Sequence, residues 1–290
     1  MEKFLAPKGL KEALEYLYSH PGTRVLAGGT DILVKFHERL DEVPSILDIT
    51  KLQELKDICV NGDEVRLGAL VTHREIEDHP WLKANVPSLC QGATEVGAMQ
   101  IRNRGTIGGN VVNASPAGDT LPPLVVLGGR VELSSLTGQR TMSLEEFFLG
   151  PGKTALKADE LLIAITFPTP KPHQGNAYLK LGKRKALAIA TASVAVNVTL
   201  NDDMTQLEDI RICFGSVAPV PKRCLATEEV LRGKSLTDLP WAEATAALQE
   251  DISPIDDIRG TAQYRRDVAS VILVRATKQA IRETGAKLYD

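Results

Sequence analysis

Between residues 8 and 20 the apolar positions fall at Leu10, Ala13, Leu14 and Leu17, the spacing that lays one stripe of a helix against a core. Pro21-Gly22 ends that helix. Thr23-Arg24-Val25-Leu26-Ala27 then reads as a short strand, Gly28-Gly29-Thr30-Asp31 breaks it, and Ile32, Leu33, Phe36 and Leu40 resume a helical period. Short strand patterns at residues 45–49 and 64–68 and a helical stretch over residues 72–98 continue the alternation, which predicts a mixed α+β domain.

From Ile101 the texture changes. Residues 105–119 are small and polar throughout, which predicts a long functional loop. A short helix opened by Pro122 follows, then a hairpin turning at Thr137-Gly138 and a strand over residues 160–167. Pro168-Thr169-Pro170-Lys171-Pro172 is the proline-dense stretch and marks the expected domain boundary. Beyond it, strands over residues 192–200 and 209–217 are joined by Asn201-Asp202-Asp203. The last helix opens at Gly260-Thr261, stacks Tyr264, Val268, Val271, Ile272 and Ile281 on one face, and closes at Gly285. A sheet packed by helices is expected there.

Composition narrows the partners. The 34 Lys and Arg against 37 Asp and Glu leave a net charge of −3 over 290 residues, which offers no basic surface for nucleic acid or anionic membrane. No window approaches the roughly 18 consecutive apolar residues of a membrane span, and the N-terminus has no apolar signal core behind a basic start. A soluble, cytoplasmic protein is the expectation. Cys59, Cys90, Cys213 and Cys224 lie far apart with no C-x-x-C, and the histidines are equally scattered, so no resident metal is expected.

Two glycine pairs carry the candidate chemistry. In Ala27-Gly28-Gly29-Thr30-Asp31, between strand and helix, adjacent glycines let consecutive amides point one way and let a large anion approach without a Cβ in the path. There is neither the Lys of a P-loop nor the G-x-G-x-x-G of a Rossmann site. Thr106-Ile107-Gly108-Gly109-Asn110 adds a second pair flanked by hydroxyl and amide side chains, so that two loops could hold a pyrophosphate by neutral donors. Ser115 and Asp119 add a hydroxyl and a carboxylate suited to ribityl, ribose or ring hydrogen bonds, although Asp119 could equally cap the helix at Leu121-Pro122.

With these motifs in place, together with Tyr178-Leu179-Lys180, the stretch from Gly182 to Ala190 and Tyr264-Arg265-Arg266, the whole chain resembles the FAD-binding medium subunits of molybdenum hydroxylases such as xanthine dehydrogenase and carbon monoxide dehydrogenase. The resemblance implies an α+β fold. It comprises a two-part FAD-binding domain of the vanillyl-alcohol-oxidase-like (PCMH) type over residues 1–170, divided near residues 55 and 56. An α+β C-terminal domain of the CO dehydrogenase flavoprotein type follows over residues 171–290.

The resemblance also implies a cofactor and its contacts. Val25, Leu26, Ala27, Gly28, Gly29, Thr30, Asp31 and Ile32, with Thr106, Ile107, Gly108, Gly109 and Asn110, would hold the FAD diphosphate and its neighbours. Asp119 would touch the cofactor, and Leu162 and Lys180 would lie near it. Val96 stands where some relatives place an aromatic residue on the isoalloxazine ring, so aliphatic side chains such as Val96 and Leu162 would cover the ring instead. The basic run Lys180, Lys183, Arg184 and Lys185 reads either as a charge near the flavin or as a solvated strand end, and Arg265 and Arg266 read as surface ion-pairing residues.

Function follows from the same resemblance. The chain would be an electron-transfer subunit, with a molybdopterin-binding large subunit and a [2Fe-2S] small subunit as partners and NAD, a quinone or another carrier as acceptor. No catalytic acid–base pair and no cluster are expected in this chain, which lacks the cysteine-bearing insertion of the benzoyl-CoA-reducing branch. A stand-alone flavoenzyme resembling UDP-N-acetylenolpyruvoylglucosamine reductase is the alternative, and would need a proton donor over the flavin for which the sequence offers no candidate. A flavin-free scaffold is disfavoured by the intact glycine pairs.

Overall fold

The computed structural model describes residues 4–38, 45–184 and 187–287. Leu40 of the second helical pattern and Lys185 of the basic run lie outside the described residues. In chain order the elements begin β1 (Phe4–Leu5), α1 (Leu10–Ser19), β2 (Arg24–Leu26), α2 (Ile32–Glu38), β3 (Ile46–Asp48), β4 (Ile58–Asn61) and β5 (Glu64–Gly68). Helices α3 (His73–Asp78), α4 (Pro80–Asn85), α5 (Pro87–Thr94), α6 (Met99–Arg102), α7 (Ile107–Asn113) and α8 (Leu121–Val126) come next. Then follow β6 (Arg130–Ser135), β7 (Gly138–Ser143), α9 (Leu144–Phe147), β8 (Phe148–Gly150), β9 (Lys153–Thr154) and β10 (Leu161–Pro168). The chain ends with β11 (Gln174–Gly182), β12 (Ala190–Leu200), β13 (Leu207–Gly215), β14 (Lys222–Arg223), α10 (Leu225–Leu231), α11 (Trp241–Asp251) and α12 (Ala262–Glu283).

These elements form two compact units. The first comprises Met1–Glu75, Met99–Ala114 and Gly129–Thr169, and the second Ile76–Ala98, Ser115–Gly128 and Pro170–Asp290. Segments 76–98 and 115–128 thus pack with the C-terminal strands although they precede them by many residues.

In the first unit, β1, β3 and β2 form a parallel sheet with β3 in the middle, which the helical crossovers α1 and α2 make possible. Ala13, Leu14 and Leu17 of α1 bury the predicted stripe in a core with Leu47, Leu52, Leu55 and Leu161. A second, antiparallel sheet runs β4-β5-β10-β6-β7. Its middle strand β10 is buried on both faces from Leu161 to Phe167, which explains the unbroken apolar run there. The hairpin of β6 and β7 turns where expected, with Ser135 opposite Gly138.

In the second unit, β11-β12-β13-β14 make an antiparallel sheet. Helix α12, capped by the Thr261 side chain, packs Ala269, Ile272, Leu273, Ala276, Ala280 and Ile281 into a core with Val194, Val196 and Ile212. Helix α5 packs on β11, and α8 on β12 and β13.

Three local expectations are corrected. The pattern over residues 72–98 is not one helix but α3, α4 and α5, because Pro80 and Pro87 each start a new one. The small-residue run is not loop throughout: Thr106 accepts from the Gly109 amide and starts α7, so local capping overrides the poor helix propensity of two glycines. The buried face of α12 is rotated from the expected one, with Tyr264 and Val271 each 48% exposed. Buried Arg265 and Ala269 occupy the inward phase, a choice apolar periodicity could not make with an arginine in the stripe.

Among the described residues no helix is long and apolar enough to cross a membrane, and no group of three or more His, Cys, Asp or Glu could hold a metal ion.

Candidate functional site

The first glycine pair lies between β2 and α2. Gly28 packs on the segment before α7: a Cβ on it would lie 1.9 Å from the Arg104 carbonyl oxygen, a distance no side chain survives. Gly29 has φ +81°, which glycine adopts without penalty. The carbonyls of Leu26 and Gly29 are taken by the amides of Ile49 and Leu33 at 3.0 and 3.2 Å. Among the described residues, however, the amides of Gly28, Gly29, Thr30 and Asp31 have no acceptor. A run of unengaged amides is what an anionic ligand would use.

The second pair is built differently. The Ile107 and Gly108 amides donate to the carbonyls of Val71 and Ala69 at 2.8 and 3.0 Å, and those of Gly109 and Asn110 to the Thr106 side chain and carbonyl at 3.1 and 3.0 Å. Gly108 is therefore a packing glycine, whose Cβ would meet the Ala69 backbone at 2.6 Å. Ala69 itself donates to Ile163 at 2.9 Å, where a bulge between Leu162 and Ala164 interrupts the pairing of β10 with β6. The bulge, Ala69 and the second glycine pair are thus one hydrogen-bonded series, which places Leu162 on the same scaffold. The two pairs thus differ: the main-chain donors from Ile107 to Asn110 are committed, and Gly109 is the exposed member of the second pair.

The two loops do meet. Gly28 lies on Arg104, a Cβ on Gly105 would lie 3.4 Å from the Thr30 hydroxyl oxygen, and the Asn113 side-chain amide donates to Asp31 at 3.1 Å. Beside them, His73 is buried with its Nδ1 atom unpartnered, and its imidazole pKa falls to about 4 because burial disfavours the cation and Arg102 repels it.

The second unit holds the polar cluster. Asp119 does not cap α8, whose N-cap is Thr120 with no side-chain capping bond. Instead its carboxylate accepts from the Tyr178 phenol at 2.7 Å and from the Lys180 ammonium at 2.8 Å. Lys180, with a side chain only 4% exposed, also donates to the Glu95 carbonyl at 3.0 Å and lies 3.7 Å from the Glu95 carboxylate. Burial raises the Asp119 pKa to about 6 against the opposing pull of Lys180, and raises the Tyr178 phenol well above its ordinary value. Tyr178 and Lys180 project from β11, and the Tyr178 amide donates to the Gln91 side chain of α5 at 2.8 Å. Ser115 closes a tight turn, accepting from Ala117 at 3.3 Å, and Val96 follows α5 partly exposed.

Lys180 and Asp119, singled out separately, are one ion pair. Tyr178 joins them, and only its place two residues before Lys180 on a strand, which points both side chains to one face, could have signalled this. Glu95 and His73 carried no signal. Lys183 and Arg184 bond only to the carbonyls of Ile258 and Leu187 among the described residues, at 2.6 and 2.7 Å.

Comparison with known proteins decides the family. Residues 1–170 match the FAD binding domain in molybdopterin dehydrogenase, and residues 177–280 match the CO dehydrogenase flavoprotein C-terminal domain. The chain belongs to the FAD-binding subunits of the molybdenum hydroxylases. This flavoprotein subunit is 36% identical over 260 residues to the nicotinate dehydrogenase FAD-subunit of Eubacterium barkeri, covering 86% of this chain and 85% of that one. It is 31% identical over 281 residues to the xanthine dehydrogenase FAD-binding subunit of Escherichia coli O157:H7, covering 96% of each. In structure it is similar to the carbon monoxide dehydrogenase from Hydrogenophaga pseudoflava that lacks the Mo-pyranopterin moiety, with a TM-score of 0.91, 31% identity and 97% of each chain covered.

The residues of the flavoprotein subunit fit the dinucleotide its family binds. The unengaged amides from Gly28 to Asp31 suit diphosphate oxygens. The cradle floor at Gly28 would be filled by any Cβ.

Proposed function

We propose that the chain holds FAD with residues 25–32 and 106–110, with Leu162 on the β10 bulge, and with Val96, Ser115, Asp119 and Lys180. In that role it takes electrons from the [2Fe-2S] clusters of a small partner subunit, fed by a molybdopterin-binding large subunit, and passes them to an external carrier such as NAD or a quinone. The division of labour follows: an FAD-binding domain over residues 1–170 in two parts, a C-terminal flavoprotein domain over residues 171–290, and a cytoplasmic setting.

FAD supplies the redox chemistry when bound, as a carrier of electron pairs. The chain's residues bind and tune. The amides of Gly28, Gly29, Thr30 and Asp31 meet the diphosphate as neutral donors, so no lysine is needed there. Thr106, already capping α7, retains a hydroxyl proton to give. The Asp119–Lys180 pair is nearly neutral overall and brings hydrogen-bonding capacity without a net field. Val96 and Leu162 exclude water from an apolar ring by burial alone.

The observation that carries the reading is the unengaged run of amides on a loop whose glycine rests on the Arg104 backbone. Gentle purification from the native cell tests it. Stoichiometric FAD, with molybdenum and iron in co-purifying chains, is the expected result. A chain that is isolated without flavin and binds none on titration would overturn the reading.

A further inference from the structure

We propose that Tyr178 is a positioning residue for the flavin, its phenol fixing the orientation of the Asp119 carboxylate that Lys180 pairs from the other side. The inference rests on the proposed FAD site and assigns a role to a residue that site did not include. Geometry carries it. The phenol donates to one carboxylate oxygen at 2.7 Å and the ammonium to the other at 2.8 Å, so the carboxylate is held at both ends and cannot turn about its last bond without breaking a bond to a buried partner. Only the remaining lone pairs of those oxygens are left for a ligand, and their directions are set by the two donors.

Tyr178 is itself buried and held at its backbone: the residue is 3% exposed, and its amide donates to Gln91 at 2.8 Å. Tyr178 and Lys180 lie on one face of β11, and Glu95 faces Lys180 from the segment after α5. No other charged group faces Asp119 among the described residues. The hydrogen bonds from Lys180 and Tyr178 both favour the ionised form against the penalty of burial. Removing the phenol therefore lets Asp119 take a proton at higher pH and lets its carboxyl turn.

The test uses the full chain and FAD itself, with flavin fluorescence titrations between pH 5 and 8. Tyr178→Phe keeps the ring and its packing, so an unchanged far-UV spectrum is expected, with FAD bound about ten-fold more weakly, the loss of one hydrogen bond to a charged group. The pH midpoint of binding should move upward from its wild-type position. In an Asp119→Asn background the same substitution should cost nothing further, because Tyr178 acts through Asp119. If Tyr178→Phe does not fold, Asp119→Glu replaces it: one more methylene carries the charge away from the phenol, and comparable weakening is expected. Wild-type affinity and midpoint in whichever variant folds, with Asp119→Asn altering both, would overturn the positioning role and leave the FAD site standing. Unchanged FAD binding in both Asp119→Asn and Lys180→Met would overturn the site itself.

Discussion

Gly28 lies against the main chain of Arg104 so closely that a Cβ would sit 1.9 Å from its carbonyl oxygen. The Arg104 side cannot yield cheaply, because the Arg104 and Gly105 amides are both tied to Ile101, at 3.1 and 2.6 Å. Gly28→Ala must therefore push the loop of residues 28–31 off its support. We expect a stability loss of about 1–3 kcal/mol, the usual cost of an overpacked contact, and loss of most FAD. The flavin-to-protein absorbance ratio and the urea midpoint check it. A variant with full flavin content would show that the loop does not position the diphosphate.

Gly109 offers the opposite experiment. It is exposed in the first turn of α7, and a Cβ there meets only the Thr106 hydroxyl oxygen, at 3.0 Å. Gly109→Asp should fold, since an acidic residue near a helix start is tolerated and the neighbouring contact is a side chain. Its carboxylate would repel a diphosphate. Native-like circular dichroism with FAD absorbance reduced at least ten-fold is the expected pair of readings, and stoichiometric FAD would remove the second glycine pair from the cofactor's surroundings.

Much of this was legible in the chain. The stripe of α1, the break at Gly28-Gly29, the hairpin at Gly138 and the cap at Thr261 are local signals, and local physics decides them. What stayed hidden depends on distant partners. That Gly108 is committed to Ala69 while Gly28 leaves its neighbours' amides open cannot be read from two identical dipeptides, because the difference lies in what the β10 bulge presents. Tyr178 and Asp119 are 59 residues apart and meet only because α8 packs on the sheet that carries β11. The family resemblance supplied Asp119 and Lys180 as separate contacts, and geometry made them a pair.

Asp119 also predicts a pH dependence of stability. Its carboxyl titrates near pH 6 in the folded chain, raised by burial from an ordinary value near 3.8. The folded state therefore binds the proton more tightly than the unfolded state. The stability gained is complete below about pH 3.8 and is lost as pH rises through about 6. The shift corresponds to about 3 kcal/mol between those limits. Other carboxylates push the opposite way: Glu160, held low by its hydrogen bond to Arg140, stabilises the fold only above its unfolded pKa. The informative quantity is thus the difference between wild type and Asp119→Asn in urea unfolding from pH 4 to pH 7. That difference should shift in favour of the asparagine variant as pH rises, and a flat difference would refute the raised pKa.

Arg265, expected at the surface, is the reverse case. Its side chain is 3% exposed, and its guanidinium donates to the carbonyls of Thr191 and Ser216 at 2.7 and 2.8 Å and pairs with Asp257 at 2.5 Å. One side chain thus joins α12 to the start of β12, to the end of β13 and to the loop before α12. Arg265→Ala would leave the buried Thr191 carbonyl and the part-buried Ser216 carbonyl without this donor and remove one of the two arginines that pair with Asp257, whose pKa is held below its ordinary value in part by Arg265. Leaving buried acceptors without their donor costs about 1–3 kcal/mol, so the variant should unfold at lower urea concentration. Arg265→Lys should recover only part of the loss, because an ammonium cannot reach three acceptors arranged for a planar fork. If both variants instead unfold with the wild-type midpoint, the contacts of this buried arginine carry no net energy.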